Sequence, residues 1–117
     1  MTEIEMKQRT KAFALRVIKL SSSLSKDFVA RRLGDQLLRS GTSVAANYRA
    51  ACRARSKADF VNKLGIVEEE ADESALWMEL LVESGLVPAR RLEKLIDEAN
   101  QLTAIFVASR KTSGRER

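Results

Sequence analysis

Seven basic residues in this chain have a spacing suited to binding anions. Arg32, Arg39 and Arg53 stand seven or fourteen positions apart, with Ala46 in the remaining place of the series. On one helix that spacing lines them along a single side, about 10 Å between neighbours. Arg31 and Arg49 flank the line, and Arg55 and Lys57 extend the charge past the helix end. Guanidinium groups so placed can each meet a different phosphate, and their planar forks match phosphate oxygens better than an ammonium does. The competing reading is a solvated face, or ion pairs to an acidic helix of the same or another chain. Aromatics for stacking bases hardly interleave with these charges. Tyr48 is the candidate, and its phase places it in the core, which argues against sequence-specific reading of a single strand.

Other polar groups offer weaker chemistry. The run "EEEADE", Glu68 to Glu73, puts Glu69, Asp72 and Glu73 within two turns, a spacing that can hold Mg²⁺ through carboxylates. A second acidic pair should then sit on the following helix. Glu93, Asp97 and Glu98 do not supply a clear Glu-x-x-Asp partner, so a solvated acidic face or ionic pairing with the arginines is the better reading. Glu70, Glu73 and Trp77 share a face with Ile66 and Leu80; carboxylates beside a tryptophan mark a contact rather than bulk water. Gln36, Ser40, Ser43 and Asn47 form an uncharged stripe which, with Gly41, suits close approach between helices or subunits. Cys52 is either a thiolate favoured by nearby arginines or a small core filler. There is no histidine, which removes the commonest general base and metal ligand. The expectation is a protein that is not an enzyme, with no metal and no cofactor.

These groups need a helical frame, and the apolar phase supplies one. Phe13, Val17 and Leu20 recur at helical spacing in a first helix over 3–20, which "SSSLSKD" should break. Asp27, or Ser25 before it, caps the next. Leu33, Leu37, Val44, Tyr48 and Ala51 keep one phase only if Gly41 occupies the missing step. That predicts a continuous helix over 28–54. The rival is a break at Gly41–Ser43, with Thr42 or Ser43 as an N-cap. Ser56 caps a third helix over 57–84, whose seam Phe60, Leu64, Val67, Ala71, Ser74, Met78, Leu81 alternates by four and three. Gly85 ends it, and Pro88 opens a fourth over 88–110. Residues 111–117 are expected to be a frayed polar tail. Four amphipathic helices with short connections and no strand candidate make an all-α, antiparallel up-down-up-down bundle, a single domain over 1–117.

Bulk properties agree. A chain of 117 residues with 44% hydrophobic and 32% charged residues suits one soluble globular domain. No apolar run approaches the roughly 20 residues of a membrane span, no secretory leader is evident, and the lone cysteine fits a reducing compartment. A cytoplasmic protein with no membrane partner is expected. The net charge of +5 is unevenly spread: residues 1–55 hold 12 Lys/Arg against 4 Asp/Glu, and residues 56–89 hold 2 against 8. Such asymmetry points to self-association between unlike faces or to a polyanion partner.

The polar positions carry a resemblance as well. Gln36–Leu37, Arg39–Ser40–Ser43–Asn47, Arg53–Ser56–Phe60 and Glu79–Leu80–Leu81 together resemble the pattern of the 23S rRNA intervening-sequence proteins, the S23-type family of four-helix bundles. The resemblance implies a ring-forming protein, typically a homopentamer, with no established catalytic activity and with RNA association suggested by genes inside rRNA insertions. A similar architecture serves as the accessory protein of diversity-generating retroelements, which implies a reverse transcriptase as an alternative partner. In a ring each subunit meets its neighbours through two different patches, so an acidic helix can face a basic one at every joint.

Overall fold

The structure is a computed structural model, and it describes residues 1–115. Four helices follow in order: α1 Glu3–Ser22, α2 Phe28–Ala51, α3 Lys57–Glu83 and α4 Ala89–Arg115. No strand occurs among the described residues. Each helix packs along its sequence neighbour, and α1 meets α4 over a much smaller contact. The resulting bundle measures 49 × 21 × 19 Å.

Local chemistry sets the ends. Thr2 Oγ1 accepts the Glu5 amide at 3.1 Å, Asp27 accepts that of Ala30 at 3.0 Å, and Ser56 that of Asp59 at 3.0 Å. Each side chain satisfies a donor that has no partner within its helix. At the end of α3, Gly85 takes φ 81°, the left-handed conformation that glycine alone adopts without strain. There the Gly85 amide donates to the Val82 carbonyl and the Leu86 amide to that of Leu81. Leu86 packs back on the core.

Three boundaries differ from the sequence expectation by more than one residue, while α3 ends at Glu83 and α4 starts at Ala89, each one residue from the expected position. Helix α1 runs to Ser22 because its serines bond back onto the last turn: Ser22 Oγ donates to the Ile18 carbonyl and Ser23 Oγ to that of Leu20, both at 2.8 Å. Helix α2 stops at Ala51 rather than residue 54, with Cys52 as its C-cap. The chain must turn there to reach the Ser56 cap, and the Arg55 amide is taken by Asp59 at 3.3 Å. Helix α4 continues to Arg115, so residues 111–115 extend the helix instead of fraying. Arg110 Nε donates to Glu68 Oε1 at 2.8 Å, tying these late turns to α3. The rest of the expected tail, residues 116–117, lies outside the described residues.

The core follows the predicted stripes. Leu64, Val67, Ala71, Ser74, Met78 and Leu81 of α3 are all buried, as are Leu37, Val44 and Tyr48 of α2. Helix α2 passes through Gly41 unbroken. The reason lies opposite: a Cβ added there would stand 2.7 and 2.8 Å from the two Val17 methyl carbons. The thin α1–α4 edge is closed by polar groups. Arg9 forks onto Glu98 through Nε at 2.8 Å and Nη2 at 2.7 Å, and its Nη2 also reaches Gln101.

Candidate nucleic-acid interface

The basic residues of α2 do not form one uniform line. Arg39 is drawn toward α3, its Nη1 3.0 Å from Glu70 Oε2 and its Nη2 bonded to Glu73 Oε1. Glu73 also accepts the Trp77 indole N–H at 3.2 Å. Two carboxylates on one guanidinium leave it little attraction for phosphate, so Arg39, Glu70, Glu73 and Trp77 make a contact between helices of the same chain. At the start of α2, Arg32 lies over the Phe28 ring, 5.0 Å from its centroid. Arg31 stands beside it with Lys26 and Asp35.

At the other end the charges gather. Arg49 and Arg53 line a groove between α1 and α2 together with Lys7 and Lys11. Thr10, Ala45 and Ala46 complete its lining, and it holds about 350 Å³. No carboxylate is among these residues. The nearest compensation is a Glu3–Lys7 contact of 3.7 Å one turn apart on α1, with both side chains well exposed. Such a pair is weak in water. Arg53 leaves the helical line because α2 has already ended. It also borders a neighbouring hollow with Arg55, Asp59 and Lys63. Lys57, the first residue of α3, is exposed. Four cations facing one concave surface with no acid among them raise local potential, and an anion is what relieves it.

Helix phase explains how α1 contributes. Met6, Thr10, Phe13, Ala14 and Val17 are buried, which leaves Lys7 and Lys11 one turn apart at the rim of that face. Thr10 itself is satisfied locally, donating to the Met6 and Lys7 carbonyls. Sequence reasoning missed both lysines. The signal available was their i, i+4 spacing beside the core stripe, but only packing shows that α2 presents Arg49 and Arg53 across from them.

The uncharged stripe divides by depth. Ser40 is fully buried and shares a 2.9 Å hydrogen bond with Ser74 of α3, while Gly41 admits Val17 of α1. Both serve helix contacts within the chain. Asn47 turns back on its own helix, its Nδ2 donating to the Ser43 carbonyl at 2.9 Å, and Gln36 is exposed. The acidic run is similarly dispersed: Glu68 pairs with Arg110, Glu70 and Glu73 with Arg39, and Glu69 and Asp72 point to solvent. Among the described residues no three acidic side chains converge as a metal site requires.

Cys52 is half-buried beside Tyr48 and Glu3, and burial, aided by Glu3, pushes its thiol pKa up, outweighing the hydrogen bond with Tyr48 and the charge of Lys7. It therefore stays protonated at neutral pH rather than existing as a thiolate. Iodoacetamide at pH 7 is expected to label Cys52 in the native protein more slowly than it labels free cysteine. The difference should close in urea, as intact-mass spectrometry would record. Tyr48 packs on Phe106, ring centroids 5.4 Å apart and tilted by 50°, the core position its phase implies.

Comparison with known proteins agrees with this architecture. No curated protein matches the chain. Among solved structures, a protein of unknown function from the S23 ribosomal protein family of Bacteroides thetaiotaomicron superposes with a TM-score of 0.82 at 34% identity, covering 90% of this chain and 97% of that one. The family model described as 23S rRNA-intervening sequence protein matches residues 2–108. No helix among the described residues is long and apolar enough to cross a membrane. With the polar pattern of α2 and α3, the bundle and both comparisons in agreement, the chain belongs to the 23S rRNA-intervening sequence protein family.

Proposed function

We propose that this protein is a non-enzymatic, self-associating helical module that holds nucleic acid by its phosphate backbone. The observation that carries the reading is the groove between α1 and α2, where Lys7, Lys11, Arg49 and Arg53 converge with no carboxylate in the lining. Arg55 and Lys57 lie beyond its end, and Arg31 and Arg32 lie farther along α2. Contacts of this kind position a polyanion without reading its sequence. The family's name refers to intervening sequences of 23S rRNA, which favours RNA as the ligand. The test is a salt titration of binding to a labelled RNA single strand. Four phosphate contacts give a slope of log K against log salt of roughly −3, with little dependence on sequence. No retention at low salt would end the reading.

Self-association rests on different residues. Leu76 and Leu80 are 47% and 39% exposed on α3, next to half-buried Trp77, while Leu15 and Ile18 of α1 and Leu38 of α2 are exposed on another side. Two unlike apolar patches on one protomer suit a head-to-tail joint that closes into a ring, and a pentamer is the size the family likeness suggests. The same patches favour a second reading, a ring-shaped adaptor for a protein such as a reverse transcriptase. RNA binding, with light scattering to report the assembly state, separates the two: Leu80→Glu should give monomers, and the groove should still bind RNA, more weakly per strand. An adaptor would bind no RNA in either state.

A further inference from the structure

Phe28 has no partner in the core. The first residue of α2, it is 69% exposed, and its neighbour Val29 is 50% exposed. Isolated apolar residues on a surface need no explanation, but this one is held and surrounded. The Arg32 guanidinium lies over the ring 5.0 Å from the centroid, which favours this orientation through the attraction of a cation for a π face. Lys26, Arg31 and Arg32 border the hollow beside it, with Asp35 as its one carboxylate. A ring presented to solvent among three cations has the composition of a base-stacking platform: a π face for a base and positive charge for the phosphates on either side.

We propose that Phe28 stacks an unpaired base of a nucleic-acid strand whose backbone follows α2 toward the Arg49–Arg53 groove, about 30 Å farther along the helix. The proposal rests on the groove being a phosphate site. It adds a class of ligand, since a duplex hides the faces of its bases and can offer the ring nothing, whereas a single strand or loop can. Asp35 fits the same role, because a carboxylate beside a stacked base can accept from an exocyclic amino group but repels phosphate. Lys26, Arg31 and Arg32 outnumber it.

The experiment compares binding of a labelled RNA single strand and of the duplex made from it, by fluorescence anisotropy at constant salt. Wild type, Phe28→Ala, Phe28→Leu, Phe28→Tyr and Arg49→Ala/Arg53→Ala are measured together. Alanine and leucine are each expected to weaken single-strand binding roughly tenfold and to leave duplex binding unchanged, while tyrosine retains both. Leucine separates stacking from mere apolarity. Because Phe28 is exposed, its variants should melt with wild type, which circular dichroism checks. Equal losses on strand and duplex would overturn the proposal, by showing that the ring only positions Arg32. Loss of binding in the double arginine variant with none in Phe28→Ala would overturn it while leaving the groove intact. Absence of binding by wild type would remove both.

Discussion

Gly41→Ala lowers the unfolding free energy by about 1 kcal/mol, and Gly34→Ala, seven residues earlier on the same helix, raises it by about 0.5 kcal/mol. The two glycines look alike by distance alone: an added Cβ would stand 2.7 Å from Val17 Cγ1 at Gly41 and 2.6 Å from Leu24 Cδ1 at Gly34. What differs is whether the neighbour can move. Val17 is fully buried, β-branched and stiff about χ1, so the clash must push α1 away from α2. Overpacking of that kind costs about 1–3 kcal/mol, which exceeds the roughly 1 kcal/mol gained by removing a helical glycine. Leu24 lies in the α1–α2 connection, half-buried, and meets the new methyl only with its terminal carbon. A rotamer change clears it, and the helix keeps the gain. Urea unfolding monitored by circular dichroism measures both. Val17→Ala supplies the internal check: it removes both methyl carbons and leaves only the Cβ of residue 17, 3.0 Å from the added one, so in that background the cost of Gly41→Ala should shrink, a coupling that a double-mutant cycle reads directly. A Gly41→Ala cost of unchanged size there would mean that the Val17 methyls are not what requires the glycine.

That contrast shows which parts of the molecule were legible before its structure. The continuity of α2 was legible, because the apolar series on both sides of Gly41 stays in phase and a break would have had no reason to preserve it. The α3 seam and the Asp27, Ser56 and Gly85 ends were legible for the same local reason, since each signal lies within a few residues of what it controls. Partners across the fold were not. Arg39 sits on the predicted line of arginines, yet Glu70 and Glu73 on α3 claim it, and no spacing on α2 announces that. Arg9 and Glu98 close the α1–α4 edge from positions far apart in the chain. Phe28 is an intermediate case. It shares the polar phase of Arg32 and Arg39 rather than that of Leu33 and Leu37, so its exposure was written in the periodicity. What the periodicity does not carry is the company the ring keeps, since Lys26 of the α1–α2 connection reaches the same hollow only once the chain has turned into α2.

The sharpest functional consequence of this division concerns arginines on one helix that behave differently. Replacing Arg49 and Arg53 together by alanine should weaken binding to any RNA strand by a similar factor whatever its sequence. It should also make the dependence of log K on log salt shallower by roughly 0.7 for each residue removed. Stability should change by no more than about 0.5 kcal/mol, because neither side chain holds a hydrogen bond or salt bridge among the described residues. Removing two of four crowded cations also relieves their mutual repulsion. Arg39→Ala should do the reverse: the salt slope stays put while the melting temperature falls, since Glu70, largely buried, loses its cation. Measuring slope and melting temperature on the same three proteins decides the matter. If Arg39→Ala flattened the slope and the double variant did not, the phosphates would lie against the α2–α3 side, where Arg39 would have to leave two carboxylates to meet them. That exchange is unfavourable when the groove between α1 and α2 presents four cations that need no such release.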